Sequence, residues 1–216
     1  MSLIVYTALF GYTDPLHEPL CQSQARFVCY TDQPLKSQRW EIIRVPRQDF
    51  PTRISRLTKA MSHKLLDCEW SLWMDANFTI ITDPYLLLDD NEISLFKHPD
   101  RTRITDEAQE IIRLQKTCPD KIRAQLAAYK ADGFDTDSNP QKILSLNGVI
   151  LRKHTPQICK LNEMWAHEIH TKSLRDQMSL NYCAWKLGVD INYWPGYHRN
   201  NSHFLFKHFK RPVNDV

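Results

Sequence analysis

Trp73-Met74-Asp75-Ala76-Asn77 runs from an apolar segment into a short acidic tripeptide. A carboxylate at the C-terminal end of a strand stands where ligands sit in open α/β sheets. Asp75 in that place can hold a hard divalent cation that bridges the phosphates of a nucleotide, and Asn77 adds a neutral amide oxygen. Upstream, Arg53, Arg56, Lys59, His63 and Lys64 form the polar face of a helical pattern. From that face Arg56 or Lys59 can donate to a diphosphate. Downstream, Arg175-Asp176-Gln177 opens another helical pattern and offers a carboxylate and an amide to sugar hydroxyls. An acid there equally suits a helix N-terminus. The tail carries His198, His203 and His208, any of which can complete a metal site with Asp75. Lys207, Lys210 and Arg211 lie among Phe204, Phe206 and Phe209, a short basic and aromatic patch that would also suit nucleic acid. Each feature taken singly has a plainer reading as a turn, a solvated face or an ordinary histidine.

Several chemistries are excluded. There is no G-x-G-x-x-G, no G-x-x-x-x-G-K-[ST] and no G-x-S-x-G. His167-Glu168-Ile169-His170 spaces its histidines one residue too closely for a zinc-protease helix and reads as a polar helix face. Lys and Arg number 28 against 25 Asp and Glu, a net charge of +3. That is too small to argue for a nucleic-acid partner. The six cysteines form no C-x-x-C pair and are expected as reduced thiols. Met1-Ser2-Leu3-Ile4-Val5-Tyr6 reads as a first strand and not a signal peptide. No run approaches the ~20 apolar residues of a membrane span. The expectation is a soluble cytoplasmic protein.

The elements that must position these side chains alternate between strand and helix. Strands are predicted at 3–10, 26–31, 40–45, 70–74, 78–81, 93–97 and 144–151, the last interrupted by Asn147-Gly148. Helices are predicted at 53–67, 84–88, 105–132 with a break near Cys118-Pro119, 156–170, and 174–187 closed by Gly188. Residues 133–140 are a loop, and the tail from Tyr193 has no clear period. This alternation predicts an α/β sandwich. With 216 residues and no linker, it predicts one domain over 1–216.

Taken in order, the motifs resemble a nucleotide-sugar glycosyltransferase of the GT-A fold, in particular the glycogenin-like retaining family. Met74-Asp75-Ala76-Asn77 matches that family's Asp-x-Asp metal motif except at Asn77, which lowers the negative charge of the site. Leu57-Thr58-Lys59 matches its diphosphate-binding lysine, Asn147-Gly148 its sugar-contacting element, and Asp176-Gln177 with Asn181 its sugar-binding helix. His203-Phe204-Leu205 and Lys210-Arg211-Pro212 are similar to its metal histidine and phosphate lysine, without the intervening glycine and with one extra residue. More closely, the chain resembles the glycosyltransferase-like family once called domain of unknown function 616, which includes plant mucilage-related proteins. The matching stretches are Val5-Tyr6-Thr7-Ala8-Leu9-Phe10-Gly11, Arg26-Phe27-Val28-Cys29-Tyr30-Thr31-Asp32, Trp73-Met74-Asp75-Ala76-Asn77, Phe96-Lys97-His98-Pro99 and Ser173-Leu174-Arg175-Asp176-Gln177-Met178-Ser179.

The resemblance implies a GT-A fold with a mixed central sheet flanked by helices. It implies transfer of a sugar from a nucleotide-diphosphate donor, most readily a UDP-sugar, to a glycan or lipid-linked acceptor with retention of configuration. Tyr6, Thr7 and Ala8 would line the nucleobase and ribose pocket. Mn²⁺ or Mg²⁺ would be held by Asp75, Asn77 and His203. Arg56, Lys59, Asn147, Gly148 and Lys210 would bind the donor, with Asp176 and Gln177 as the catalytic pair. Acceptor contacts are expected from residues 99–143. Neither a nucleic-acid partner nor a transmembrane segment is expected, though the acceptor leaves room for contact with a membrane surface. Two alternatives stand beside this reading: a module of the same fold that binds a nucleotide sugar or glycan without turnover, and a metal-dependent hydrolase using Asp75 and a histidine.

Overall fold

The computed structural model describes residues 1–11, 15–136, 143–199 and 201–207. Among these described residues nine strands are present: β1 (Leu3–Leu9), β2 (Arg26–Thr31), β3 (Glu41–Arg44), β4 (Trp70–Met74), β5 (Phe78–Ile80), β6 (Ile93–Lys97), β7 (Ser145–Lys153), β8 (Asn192–Trp194) and β9 (Phe204–Phe206). Seven of them form one mixed sheet in the order β3-β2-β1-β4-β7-β6-β8, and β5 pairs with β9 in a small second sheet. Strands β1 to β4 run parallel to one another, and β8 runs parallel to β6. Strand β7 is antiparallel to both β4 and β6. The helices are α1 (Pro51–Ala60), α2 (Ser62–Leu65), α3 (Ile104–Arg113), α4 (Pro119–Ala131), α5 (Pro156–Thr171) and α6 (Leu180–Leu187). This is the expected α/β class with a mixed central sheet flanked by helices.

The apolar runs explain the core. All seven residues of β1 are buried. Ile4, Tyr6 and Ala8 pack on one face with Trp73, Ile150 and Trp165, while Leu3, Val5 and Leu9 pack on the other with Phe27, Trp40 and Trp70. A strand covered on both faces needs a near-continuous apolar run, which is what Leu3–Leu9 supplies. Helix α5 buries Ile158, Leu161, Trp165 and Ile169 at helical spacing. Its start is fixed by Pro156 and by the Thr155 side chain, which accepts from the Ile158 N–H.

Two local departures from expectation, and a bulge where β7 was expected to be interrupted, shape the site. The helix predicted over 53–67 divides at Met61 into α1 and α2. The cause is tertiary. The Lys59 carbonyl accepts from Tyr6 Oη at 2.6 Å and Arg152 Nη2 at 2.6 Å, and the Ala60 carbonyl accepts from Arg152 Nη1 at 3.2 Å. With those carbonyls engaged from outside, the chain turns. The helix predicted over 174–187 begins instead as a 3-10 turn, Asp176–Met178, and only Leu180–Leu187 is α-helical. Asp176 is therefore not an α-helix N-terminal acid. Strand β7 carries a register fault. Leu95 of β6 pairs with Ile150, but the next residue, Phe96, pairs with Leu146. Asn147, Gly148 and Val149 leave the β6 ladder as a bulge, as strands do where a side chain must be redirected.

Candidate functional site

Strand β4 ends at Met74, and Asp75 follows with its backbone N–H bonded to the Gly148 carbonyl at 2.7 Å. The bulge in β7 brings Gly148 so close that an added Cβ would stand 2.8 Å from Phe78 Cε2 and 3.6 Å from Asp75 Oδ2. Only glycine fits between the strand end and the ring. Around this junction lies a groove of about 360 Å³. It is lined by Asp75, Asn77, Asn147, Gly148, Asp176 and Gln177, by the cations Arg56, Lys59, Lys116, Arg175 and Arg199, and by Phe78, Leu146, His198 and Phe206.

Lys59 is the centre of the site. It is 1% exposed. Its ammonium reaches Asp75 Oδ1 at 2.9 Å, Asp176 Oδ2 at 3.0 Å and the Asn147 carbonyl at 2.9 Å, and it lies 5.1 Å from the Trp73 ring centre. An ammonium has three donors, so the lysine ties the ends of β4, β7 and the 3-10 turn to α1. Arg56 Nη1 holds the other Asp176 oxygen at 2.7 Å. Burial alone would raise the Asp176 carboxyl, but the Arg56, Lys59 and Arg175 charges outweigh it and hold the group well below the usual carboxylate range. Asp176 is therefore an ionised acceptor and not a proton donor. Asp75 is freer. Trp73 Nε1 donates to its Oδ1 at 2.7 Å, and its side chain is 36% exposed.

Two amides face the groove without partners. Asn147 is 2% exposed, and neither its Oδ1 nor its Nδ2 has a hydrogen bond; the Asn77 Oδ1 is likewise buried and unbonded. Buried polar atoms are almost always satisfied, so an amide orphaned at both ends in a groove points to a ligand with donors and acceptors. The Arg175 Nε is a third buried orphan. Burial and neighbouring cations push both Lys116, beside Arg175, and Arg175, beside Arg56, downward from their ordinary values. The groove holds more positive charge than its two carboxylates answer.

Of the site residues read from sequence, Arg56, Lys59, Asp75, Asn77, Asn147, Gly148, Asp176 and Gln177 are brought together. Tyr6, Thr7 and Ala8 are not. They are buried within β1, and none lines the groove. Tyr6 serves the frame: burial pushes its hydroxyl up to about 12 against the pull of Arg152, and it donates to the Lys59 carbonyl. His203 is also elsewhere, with its Nδ1 against Thr82 Oγ1 at 3.1 Å. The reason is the pairing of β5 with β9, which sets Phe206 opposite Phe78 and leaves His203 three residues, about 10 Å, along the strand. Phe206 and His198 take the groove positions instead. Lys210 lies outside the described residues, as do His208 and Arg211. Lys116, Arg175 and Arg199 were not anticipated as groove residues.

A divalent metal fits this set poorly. Among the described residues no three His, Cys, Asp or Glu side chains come together as ligands. Asp75 already shares one oxygen with an ammonium, Asn77 is neutral, and five cations line the same groove. Among the described residues no helix is long and apolar enough to cross a membrane.

A mixed α/β sheet with a cationic groove at the C-terminal end of β4 is the arrangement in which open α/β sheets receive ligands. The chain belongs to the TOD1/MUCI70 glycosyltransferase-like domain family, whose model matches residues 31–208. The resemblance read from the five ordered stretches is borne out. The chain is 22% identical over 224 residues to an Arabidopsis thaliana protein described as "Probable hexosyltransferase MUCI70", an alignment covering 89% of this chain and 39% of that one. This chain thus spans well under half the length of that relative. Among solved structures, the apo form of mouse xyloside xylosyltransferase 1 is similar over 89% of this chain and 84% of that chain, with a TM-score of 0.47 and 9% identity.

Proposed function

We propose that this domain moves a hexosyl or related sugar from a nucleotide-diphosphate donor, a UDP-sugar, to a hydroxyl of a glycan or lipid-linked acceptor with retention of configuration. The bond from the anomeric carbon to the diphosphate oxygen breaks, and its electron pair stays on the diphosphate. The acceptor oxygen bonds to the anomeric carbon, and its proton passes to the departing diphosphate. The observation that carries this reading is Asn147. Its orphaned amide stands beside an ionised Asp176 and the free edge of Asp75 in one groove, a set of donors and acceptors that suits sugar hydroxyls. Asp176 and Gln177 orient the sugar, and the surrounding cations stabilise the charge that develops on the leaving group.

Acceptor binding is assigned to a neighbouring cavity of about 370 Å³ lined by Phe134, Asn181, Trp185, Asp190 and Tyr193. Trp185 is 46% exposed there. An exposed indole beside a carboxylate and an amide suits the apolar face and the hydroxyls of a pyranose. Buried Ser145 ties one lining residue of each space together: its N–H donates to Asn181 Oδ1 at 3.0 Å and its carbonyl accepts from Gln177 Nε2 at 3.4 Å.

A module that holds the nucleotide sugar without turnover is the second reading, favoured by the neutral Asn77. The test is release of UDP from a panel of UDP-hexoses and UDP-pentoses, alongside melting shifts with UDP, GDP, ADP and CMP. Transfer is expected to appear as slow UDP release that Asp176→Asn abolishes. Binding without any release would favour the module. No shift with any nucleotide would overturn the donor reading.

A further inference from the structure

We propose that the groove grips the donor's diphosphate with cations of its own, Lys116, Arg175 and Arg199, and requires no divalent metal. The inference rests on the donor reading above and names the groups that meet its charge. Arg56 and Lys59 are answered by Asp176 and Asp75. Lys116, Arg175 and Arg199 line the same groove, and among the described residues none forms an ion pair, although Glu107 and Glu110 act on Lys116, and Asp176 and Glu107 on Arg175, from further away.

Each is held in place by a different device. Arg199 donates from Nε to His198 Nε2 at 3.1 Å, and its guanidinium lies 4.8 Å over the Phe206 ring. Arg175 is half-buried next to Asp176, with its Nε shut away from water and unbonded. A guanidinium so placed presents its remaining N–H groups as a fork that matches two phosphate oxygens. Lys116 is aimed by the end of α3. Gln115 adopts φ 51°, and the N–H groups of Gln115 and Lys116 return to the carbonyls of Ile112 and Ile111. That turn closes the helix in a left-handed cap, at a residue that is not glycine and so carries a steric cost. The cost buys a direction: the chain doubles back and the lysine faces the groove.

Charge decides between the two ways of holding a diphosphate. A divalent ion at Asp75 would stand beside the Lys59 ammonium, 2.9 Å from the shared carboxylate oxygen, inside a ring of guanidinium groups. A diphosphate entering the same space meets three cations that are in no ion pair and relieves their mutual repulsion. The cations are already fixed, so they also stabilise the leaving group without rearrangement.

The experiment is calorimetric titration of the full chain with UDP and with inorganic pyrophosphate, once in EDTA and once in Mn²⁺, repeated for Lys116→Ala and Arg175→Ala. The expected result is UDP affinity equal within about twofold in the two buffers. Each substitution should weaken it about tenfold, as loss of one charged hydrogen bond does. The unliganded melting temperature of exposed Lys116→Ala serves as the folding control, and Arg175→Lys should recover part of the affinity if Arg175→Ala unfolds. UDP binding that appears only with Mn²⁺ overturns the proposal and leaves the donor reading standing. Metal-independent binding that neither substitution weakens also overturns it. Absence of UDP binding in both buffers removes the donor reading itself.

Discussion

Gly148→Ala isolates one contact. The backbone of Gly148 is not left-handed, so the substitution carries no conformational penalty, only a steric one. The new Cβ would sit 2.8 Å from Phe78 Cε2 and 3.3 Å from Cζ. The ring has no room to withdraw. Phe78 is 4% exposed, with the rings of Phe206, His198 and Phe204 centred 5.1, 6.2 and 6.3 Å away. Inserting a methyl into such packing costs about 1–3 kcal/mol. For a domain of this size each kcal/mol lowers the melting temperature by roughly 2–4 °C, so a fall of about 2–12 °C is expected by calorimetry. Nucleotide affinity should fall as well, because Asp75 is bonded through its N–H to the Gly148 carbonyl. The double variant with Phe78→Leu removes the ring atoms that the methyl strikes. Its loss should be smaller than the sum of the two single losses by about 0.5–3 kcal/mol. An unchanged melting temperature for Gly148→Ala, or strict additivity in the double variant, would refute the account of this junction.

Three further outcomes follow from the charges and the backbone. Lys59→Met strips the ammonium from two carboxylates and should cost about 3–5 kcal/mol, as breaking a buried ion pair does; urea unfolding reads it, and a loss under 1 kcal/mol would contradict the hub. Stability should fall with pH in two windows. His98 and His154 are held at about 4, by burial first and then by Arg101 and Arg152 respectively, while unfolded histidines titrate near 6.5. The unfolded chain therefore takes up protons first, stability drops between about pH 6.5 and 4, and the double His→Gln variant should flatten that slope. Asp176 is depressed too, so its contribution is complete above its unfolded value near 3.9 and is lost as pH falls further; Asp176→Asn should remove that lower limb in acid titration of unfolding. Gln115→Gly relieves a left-handed residue and should raise the melting temperature by about 1–3 °C, the gain being reduced by the greater freedom of glycine in the unfolded chain.

Strands closed by turn residues were legible in the sequence. β2, β4 and β6 have the predicted bounds because apolar, β-branched and aromatic runs stop at polar or turn-forming residues. The break between α1 and α2 was not legible, since it is made by Arg152, which lies 93 residues from Lys59. Asp75, Lys59, Asn147 and Asp176 were found through the order of several motifs, because no single one separates a site from a turn or a solvated face. The tail misled for a physical reason. A three-residue strand has no period to read, so nothing in the sequence says that Phe206 and not His203 stands beside Phe78. Lys116 gave no signal either. A lysine just past a helix end reads as ordinary solvated charge until the cap geometry shows where it points.

The bulge in β7 opens a three-residue gap in an otherwise continuous sheet. On one side β4 and the Asn147-Gly148 segment are bound to each other through the Asp75 N–H. On the other, β6 and β8 pair in a ladder that Asn147, Gly148 and Val149 do not join. Displacement of β6 reaches β7 through Ile150–Arg152 and through Ser145–Leu146, while the three residues between them are held only from the β4 side. The cavity beside Trp185 and Tyr193 lies at the β8 edge of the sheet, beyond that gap. Substitutions at that outer edge therefore leave the bond from the Asp75 N–H to the Gly148 carbonyl untouched.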